Sequence, residues 1–488
     1  MKKLLPLVLL IASTIWFAAC GSSNSVNGLP PVNGGGNNGY SAASLSGTWV
    51  FTIRGSDYTG DVFSAIGVFT ADGSGHITGG IQDFSDLASG FSPQVPFTGG
   101  YVVNSDGRGQ AQFNYSGNNG NTQFRFVFTS SGAARIIEIS NSEDSTGQML
   151  KQDSSAASGL GASTFVLRLD GYAPNGRIAD VGRLTANNGI FAYTYDENYN
   201  ANVTTGAQLT GAYTLGSNGR GTATLGSRNF VFYIVSANHL EFMESTNAST
   251  GAGAAELQST GFSTAGLTGN YVFGVSGVAG GASGYVPVNE AGRATLDGAG
   301  NITSGARDFV ENAGLTSSTP VGNYTVDANT GHFTLVLTNG SGGTYDSFSG
   351  YLINNGWGSM LTNAGSAITS GSIRQQAANP SNATLNGNYG LQFSGVNWNT
   401  GYNLEWISSV KFDGAGNFSG TADYATGGSL AANTSVSGTY NFDANGRATA
   451  TLNGIPFVFY DVDGTQAYIL SLDSSRQYQG NLVEQAGQ

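Results

Sequence analysis

After its first 44 residues the chain is built from short runs in which apolar and polar residues alternate. Alternation with a period of two is typical of half-buried strands, and no stretch of this region keeps the 3.6-residue apolar spacing of an amphipathic helix. The first unit of the pattern has eight such runs, at residues 46–54, 63–70, 75–83, 97–104, 108–115, 122–129, 133–140 and 146–151. Eight short antiparallel strands predict a small all-β barrel or a barrel-like sandwich.

The same pattern is present four times along the chain. In three copies a Leu-x-Gly-x-aromatic start, as in "LSGTW", precedes an Asp-Gly-x-Gly turn, and in all four copies a Gly-x-Tyr strand follows, as in "FTGGY". The second copy has a degraded start, "LGASTFVL", and "NNG" in place of the turn. Each copy ends with a Gly that is followed five residues later by a Gln. The copies predict four tandem β units, at residues 45–153, 158–260, 265–376 and 383–488. A weaker similarity between the two halves of a unit leaves open an alternative, in which half-unit sheets are paired or form a propeller.

A short acidic turn lies between two alternating runs in three of the copies. Asp-Gly in this context is a strong hairpin signal, because Gly adopts the positive φ of tight turns and Asp can hydrogen-bond its own backbone. A calcium loop needs about six to eight oxygen ligands, whereas each turn offers a single carboxylate. We therefore predict structural turns and no metal site at these pairs. The residues are Asp72, Gly73, Asp297, Gly298, Asp413 and Gly414.

Two further charged positions recur. One is an Asp followed by an aromatic residue: Asp83, Asp308 and Asp423. We interpret it as a strand-end cap beside a core aromatic, with a sugar-binding pair as the alternative. The other lies in a later turn and is expected to be solvated. It is Arg108, Arg220 and Arg447, with His332 in the third unit.

The N-terminal segment predicts export. Residues 1–19 combine two lysines, an apolar run and small residues, which is the pattern of a cleaved secretory signal. The sequence "FAAC" at its end resembles the lipobox of bacterial lipoproteins, which implies acylation of Cys20 and a membrane partnership through that anchor. The next two residues lack the Asp of the inner-membrane retention signal, so the resemblance implies the outer membrane. Residues 20–44, rich in Gly, Asn and Ser, predict a flexible tether.

The start of each unit resembles the avidin and lipocalin group of eight-stranded barrels over about the first third of the unit. In avidins an Asn two residues after the motif's aromatic binds the ligand, and the matching residues here are Phe51, Phe273 and Leu391. The resemblance therefore does not extend to biotin binding. The whole layout of lipobox, tether and tandem units is similar to surface lipoproteins of soil acidobacteria, which implies the cell envelope and no defined activity.

Charge, cysteine count and histidine positions exclude several classes of function. The formal net charge of −13 argues against a nucleic-acid partner. A single cysteine excludes intramolecular disulfides, and three histidines at unmatched positions of different units predict neither a catalytic triad nor a metal site. We therefore predict no catalytic residue, no cofactor and a non-enzymatic protein.

A loop of the fourth unit, "GVNWNTGYNLEW", has the most plausible ligand-binding residues. They are Trp398, Tyr402, Asn397 and Asn399. An exposed Trp beside amides is typical of carbohydrate stacking, whereas Trp406 is expected in the core. The sequence thus predicts an outer-membrane lipoprotein with a structural or binding role in the envelope. The first alternative is an array of carbohydrate-binding modules for a polysaccharide, and the second is a polymer hydrolase.

Overall fold

The computed structural model describes residues 36–57, 60–116, 120–139, 144–246, 249–281 and 284–486. The signal, Cys20 and the tether up to residue 35 lie outside these ranges. The described residues form four antiparallel eight-stranded barrels, which confirms the all-β tandem-unit prediction. No helix within these ranges is long and apolar enough to cross a membrane.

The strands of the first two barrels follow one another in chain order. Barrel 1 consists of β1 (Gly47–Ser56), β2 (Val62–Ala71), β3 (His76–Asp86), β4 (Gly90–Val103), β5 (Arg108–Tyr115), β6 (Asn121–Ser130), β7 (Ala133–Glu138) and β8 (Asp144–Lys151). Barrel 2 consists of β9 (Ser163–Ala173), β10 (Gly176–Asn187), β11 (Ile190–Tyr199), β12 (Asn202–Leu215), β13 (Arg220–Leu225), β14 (Arg228–Ser236), β15 (His239–Glu244) and β16 (Thr250–Leu257).

The other two barrels repeat this order. Barrel 3 consists of β17 (Thr268–Gly281), β18 (Gly284–Asp297), β19 (Asn301–Glu311), β20 (Gly314–Ser318), β21 (Val321–Val326), β22 (His332–Thr338), β23 (Thr344–Asn354), β24 (Trp357–Thr362) and β25 (Ala367–Gln375). Barrel 4 consists of β26 (Asn386–Asn397), β27 (Tyr402–Asp413), β28 (Asn417–Thr426), β29 (Ser429–Phe442), β30 (Arg447–Leu452), β31 (Ile455–Asp461), β32 (Gln466–Ser471) and β33 (Arg476–Glu484). In barrel 3, β20 and β21 together take the place of one fourth strand.

Each barrel closes because its first strand pairs antiparallel with its last. The propeller alternative is therefore wrong. The recurring Gly permits the closure: a Cβ on Gly147 of β8 would lie 2.0 Å from the carbonyl oxygen of Thr52 on β1. Any side chain there would force the two strands apart. The corresponding glycines of barrels 2, 3 and 4 are Gly253, Gly371 and Gly480, each within 2.0 Å of a first-strand carbonyl.

Apolar side chains fill the interiors of the barrels. In barrel 1, the fully buried Phe51 packs on three rings, with centroid distances of 5.3–6.2 Å. Those rings are Phe69, Phe97 and Phe113. The matching residues of barrels 3 and 4, Phe273 and Leu391, are also buried in their cores. The positions that line the ligand site in avidins thus belong to packed interiors in this chain.

A short 3₁₀ helix covers one end of each barrel, at Ala42–Leu45, Ala156–Ser158, Thr264–Gly266 and Asn382–Thr384. In barrels 1, 3 and 4 the Tyr of the Gly-x-Tyr motif holds it in place. The Tyr101 hydroxyl donates to the Ala42 carbonyl at 3.0 Å, and the Tyr440 hydroxyl donates to the Leu385 carbonyl at 2.9 Å. The recurring motif therefore fixes the covered end of the barrel.

The four barrels close into a ring. The second strand of each barrel packs against the sixth to eighth strands of the next, and β27 of barrel 4 packs in the same way against β6, β7 and β8 of barrel 1. Apolar side chains fill every junction. Between barrels 4 and 1 they are Ile407, Val127 and Ile137. Because the last barrel contacts the first as neighbours contact each other, the ring has fourfold pseudosymmetry.

The segment before β1 lies at the junction of barrels 1 and 4. Tyr40 is buried and stacks on Phe128, with 5.0 Å between the ring centroids. Asn38 donates from Nδ2 to Oε1 of Gln485 at 2.9 Å. Contacts with the ring therefore begin before residue 45, within the segment 20–44.

Candidate functional site at the ring axis

A carboxylate of one barrel binds a side chain of the next at each junction. Asp83 accepts hydrogen bonds from Nε and Nη2 of Arg220, at 2.8 and 2.7 Å, and from the Tyr233 hydroxyl at 2.8 Å. Arg447 makes the same bidentate contact with Asp308, at 2.8 and 3.0 Å. Burial raises the pKa of Asp308, but hydrogen bonds, that of Arg447 foremost, outweigh it and hold this pKa below its ordinary value.

The remaining two junctions follow the same rule. His332 Nε2 lies 2.8 Å from Asp196 Oδ2, and Arg108 Nη1 lies 2.9 Å from Asp423 Oδ2. The expectation that these turn residues are solvated is wrong, because each turn inserts into the junction with the preceding barrel and meets its buried carboxylate. The Arg108 side chain is fully buried. The repeated Asp is used in the junction and is not exposed for a sugar.

The recurring Gln is a second junction element. Gln485 of barrel 4 donates from Nε2 to the carbonyl oxygens of Asp106 and Phe128 in barrel 1, at 3.1 and 2.9 Å. The corresponding glutamines reach two carbonyls of the following barrel in the same way; they are Gln152, Gln258 and Gln376. The residues that recur in the sequence therefore build the barrels and join them into the ring.

A cavity of about 630 Å³ lies on the ring axis. It is lined mainly by the first, seventh and eighth strands of all four barrels. Six basic side chains line it: Arg54, Arg135, Arg168, Arg177, His239 and Arg374. Three carboxylates line it: Asp170, Glu241 and Glu256. With the histidine protonated, the lining has a net charge of about +3, within a chain of formal net charge −13.

Asp170 is surrounded by three arginines. Its carboxylate oxygens lie 3.2 Å from Arg54 Nη1, 3.0 Å from Arg177 Nη2 and 3.8 Å from Arg168 Nε. The Ser370 hydroxyl also donates to it, at 2.5 Å. Burial raises the pKa of Asp170, but the three guanidinium groups outweigh it and lower the pKa to about 2. One carboxylate thus balances one of three neighbouring positive charges.

His239 lies between two glutamates. Its Nδ1 is 2.8 Å from Glu256 Oε1, and its Nε2 is 2.8 Å from Glu241 Oε1. Burial lowers the pKa of His239, but these hydrogen bonds outweigh it and raise the pKa to about 10. Glu241 also accepts from the Thr52 hydroxyl at 2.7 Å and from Gln148 Nε2 at 2.6 Å. His239 is therefore protonated at neutral pH and engaged at both ring nitrogens.

Two lining arginines stand apart from these clusters. Within the described residues, neither Arg135 nor Arg374 has a carboxylate oxygen closer than 4.0 Å. Arg135 donates from Nη1 to Gln148 Oε1 at 2.6 Å. The Arg374 guanidinium lies over the Trp357 ring, 4.1 Å from its centroid. Neutral side chains therefore position both cations, and Glu241 acts on Arg135 only from beyond ion-pair distance.

The axial side chains do not follow the fourfold repeat. At the first-strand position that follows the partner of the recurring Gly, the four barrels have Arg54, Asp170, Ser276 and Ser394. The junction and closure positions carry the same or a similar residue in each copy, whereas this axial position differs in charge and size. The ring is thus a symmetric scaffold around an asymmetric lining.

The four residues predicted to bind a ligand lie elsewhere. Trp398, Tyr402, Asn397 and Asn399 share the hairpin between β26 and β27, and none of them lines the axial cavity. The side chains of Trp398 and Tyr402 are 36% and 57% exposed. Trp406, expected in the core, is buried there. The structure therefore leaves one exposed aromatic pair on the outer surface of barrel 4.

The Asp side chain of each acidic turn accepts hydrogen bonds from backbone amides of the same turn. Asp72 Oδ1 accepts from the backbone amides of Ser74 and His76, at 2.7 and 3.0 Å, and Gly73 has a φ of 79°. Asp297 and Asp413 make the same pair of backbone contacts, beside Gly298 and Gly414 at positive φ. Over the described ranges, no group of three or more His, Cys, Asp or Glu side chains is arranged to hold a metal ion.

Sequence reasoning missed the axial residues because it followed what recurs. The sequence does contain a signal for these residues. When the copies are aligned on the closure Gly, the neighbouring outward-facing positions are charged in some copies and small in others. Arg54 and Asp170 occupy one such position. His239 has no matching histidine in the other copies, so the repeat pattern gives no signal for it.

Comparisons with known proteins assign no family. No family model and no curated protein matches the chain. Similar solved structures include kievitone hydratase from Nectria haematococca, at 8% identity and a TM-score of 0.20, covering 48% of this chain and 95% of that one. They also include isotype 1 transferrin binding protein B from serogroup B Neisseria meningitidis, at 8% identity and a TM-score of 0.20, covering 70% of this chain and 79% of that one. At these scores neither similarity assigns a function.

Proposed function

We propose that this chain is a lipid-anchored, non-enzymatic binding protein of the outer membrane whose ligand site is the axial cavity. One observation carries the proposal: repeated residues build the ring, and unrepeated polar residues line its axis. A purely structural ring has no need for residues of different charge at equivalent axial positions. The barrel interiors are filled with apolar side chains, whereas the axis is a concave, polar recess.

The anchor rests on the lipobox resemblance at Cys20. A Gly- and Asn-rich tether of about 20 residues would hold the ring roughly 25 Å from the membrane surface. The test is detergent partitioning of the expressed protein before and after Cys20→Ala. The parent is expected in the detergent phase and the variant in the aqueous phase; equal partitioning of the two would contradict the anchor.

The protonation state of His239 supports a non-catalytic axis. A general base must be able to accept a proton near neutral pH, whereas this imidazolium is held between two carboxylates. Asp170 is ionised and contacts three arginines. His239 and Asp170 thus serve as fixed charges.

Filling the cavity tests where the ligand binds. Ser276 lines the axis, so Ser276→Trp would occupy the space, and Thr303→Trp on the outer face of barrel 3 is the matched control. A thermal-shift screen of small polar molecules is expected to find ligands that raise the melting temperature of the parent and the control but not of Ser276→Trp. Ligands that still stabilise Ser276→Trp would place the site elsewhere.

Carbohydrate binding at the barrel 4 hairpin is the second candidate. The exposed Trp398 and Tyr402 on one hairpin favour it, because exposed aromatic rings stack on sugar faces. The corresponding hairpin of barrel 2, around Pro174 and Asn175, has no aromatic residue at its tip, which argues against a four-module array. Glycan-array binding that Trp398→Ala abolishes would support this candidate, and a flat array would contradict it.

A further inference from the structure

Resting on the proposed function, we infer that the axial ligand carries an oxyanion, a carboxylate or a phosphate, and that Arg135 and Arg374 bind it. The lining has six basic groups against three carboxylates. Excess positive charge in a recess of low dielectric focuses the field and concentrates anions. The chain has a formal net charge of −13, yet five of its arginines line this one cavity. Such a local concentration of positive charge is what an anionic ligand would require.

Arg135 has donors to spare. A guanidinium has five N–H donors, and Gln148 accepts at one nitrogen of Arg135. Gln148 in turn donates to Glu241, which fixes its amide so that its oxygen faces the guanidinium. The remaining N–H groups border the cavity, where an oxyanion can accept two of them at once.

The Trp357 ring positions the Arg374 guanidinium, as Gln148 positions that of Arg135. Stacking on Trp357 fixes the plane of the guanidinium and leaves its N–H edge available for hydrogen bonds. Burial is the largest cause that lowers the pKa of Arg135; Glu241 raises this pKa and Arg374 lowers it, so Arg374 is close enough to act on Arg135. Two like charges held this close are stabilised when an anion enters between them.

The rest of the lining suits a hydroxylated body. Hydroxyl and amide side chains of barrels 3 and 4 also line the cavity; they include Ser276, Ser359, Ser372, Asn289 and Asn481. A volume of about 630 Å³ is within the range of small-molecule sites. The chemistry indicated is a sugar-sized polyol with an acidic group, such as a uronic acid or a sugar phosphate.

Titration calorimetry on the chain from Gly21 to Gln488 tests the inference with matched probes. Glucuronate and glucose differ mainly in one carboxylate, and inorganic phosphate supplies the other anion source. We expect glucuronate or phosphate to bind and glucose to bind at least tenfold more weakly. Arg135→Gln and Arg374→Gln should each weaken anion binding tenfold or more. Lys411→Gln, which removes an exposed charge from the outer face of barrel 4, should leave binding unchanged.

Melting temperatures separate binding from folding. Because the two arginines repel each other and lack carboxylate partners, Arg135→Gln and Arg374→Gln should melt at the same or a higher temperature than the parent without ligand. Anions should then raise the melting temperature of the parent alone. A lower melting temperature in both variants, without anion stabilisation of the parent, would show that the arginines are structural and would overturn the inference.

The outcomes distinguish this inference from the function on which it rests. Binding of glucuronate alone assigns the carboxylate source, and binding of phosphate alone assigns the phosphate source. Glucose binding as tightly as glucuronate, lost in Ser276→Trp but kept in Arg135→Gln, would overturn the anion inference and leave the axial binding function standing. Binding of all probes unaffected by Ser276→Trp would overturn both.

Discussion

Arg108 and Asp423 are 315 residues apart in the sequence, yet they form a fully buried ion pair, with 2.9 Å between Nη1 and Oδ2, that joins barrel 1 to barrel 4. Removing one partner of a buried pair leaves an uncompensated charge and costs about 3–5 kcal/mol. Arg108 also pairs with the buried Asp106, 2.8 Å from its Nε. We predict that Arg108→Met, which leaves two buried carboxylates without their cation, destabilises the protein by this amount or more in chemical denaturation. Asp423→Asn, which leaves Arg108 paired with Asp106, should cost less. The double variant should lose less than the sum, and strictly additive losses would contradict the direct pairing.

Gln485→Glu should harm the ring more than Gln485→Ala. The Gln485 amide donates to two buried carbonyls of barrel 1. Alanine leaves these oxygens without their donor, at about 1–3 kcal/mol. A glutamate places a negative charge against the same two oxygens, so its loss of stability should be larger. Equal denaturation midpoints for the two variants would show that Gln485 does not act as a hydrogen-bond donor at this junction.

Gly371→Ala should prevent normal closure of barrel 3. A Cβ at this position would lie 1.9 Å from the Gly274 carbonyl oxygen, and relief requires the first and last strands to separate. A loss of roughly 3 kcal/mol or more, or failure to fold, is expected. Gly79→Ala is the matched control, because nothing lies within 4 Å of a Cβ there. Similar melting temperatures for both variants would contradict the role of the closure glycine.

The raised pKa of Asp461 predicts that the protein loses stability as the pH rises from about 4 to 6. Burial raises its pKa from 3.8 to about 6, so the folded state keeps a proton that the unfolded state releases within this window. The stabilisation is complete below the unfolded pKa and is lost as the pH rises through the folded one. Asp461→Asn should flatten this part of the profile and raise stability at pH 7 by about 3 kcal/mol or less. Parallel melting profiles between pH 4 and 7 for parent and variant would contradict this.

Alternation and turn chemistry were enough to predict the barrels. All eight strands expected in barrel 1 are present, because one face of each is buried in a filled interior. The fourth strand starts at Gly90 instead of residue 97 and contains Pro93 and Pro96, which sheets admit only at edges or bulges. The structure accommodates that stretch with register shifts between β3 and β4 and a φ of 51° at Gln94.

The contacts between barrels and the composition of the axial cavity could not be predicted from these local patterns. Each recurring Arg or His and each recurring Asp was visible, but they pair between successive copies, and the last pair joins barrel 4 to barrel 1. Nothing local to Arg108 identifies Asp423 as its partner. The axial residues become neighbours only when the ring closes, so the sequence does not identify Arg135 and Arg374, in different barrels, as parts of one site.

Disulfide trapping between barrels 1 and 4 tests the central claim most directly. A Cβ on Gly390 would lie 3.0 Å from Thr129 Cγ2, which suits disulfide geometry, and the chain from Gly21 onward contains no cysteine. Thr129→Cys with Thr303→Cys, on the outer face of barrel 3, is the control pair. Under mild oxidation the closed ring predicts an intramolecular disulfide, seen as a reductant-sensitive mobility shift of the monomer, for Gly390→Cys with Thr129→Cys and not for the control. A monomer that forms no disulfide with the first pair would show barrels 1 and 4 apart and would contradict the closed ring.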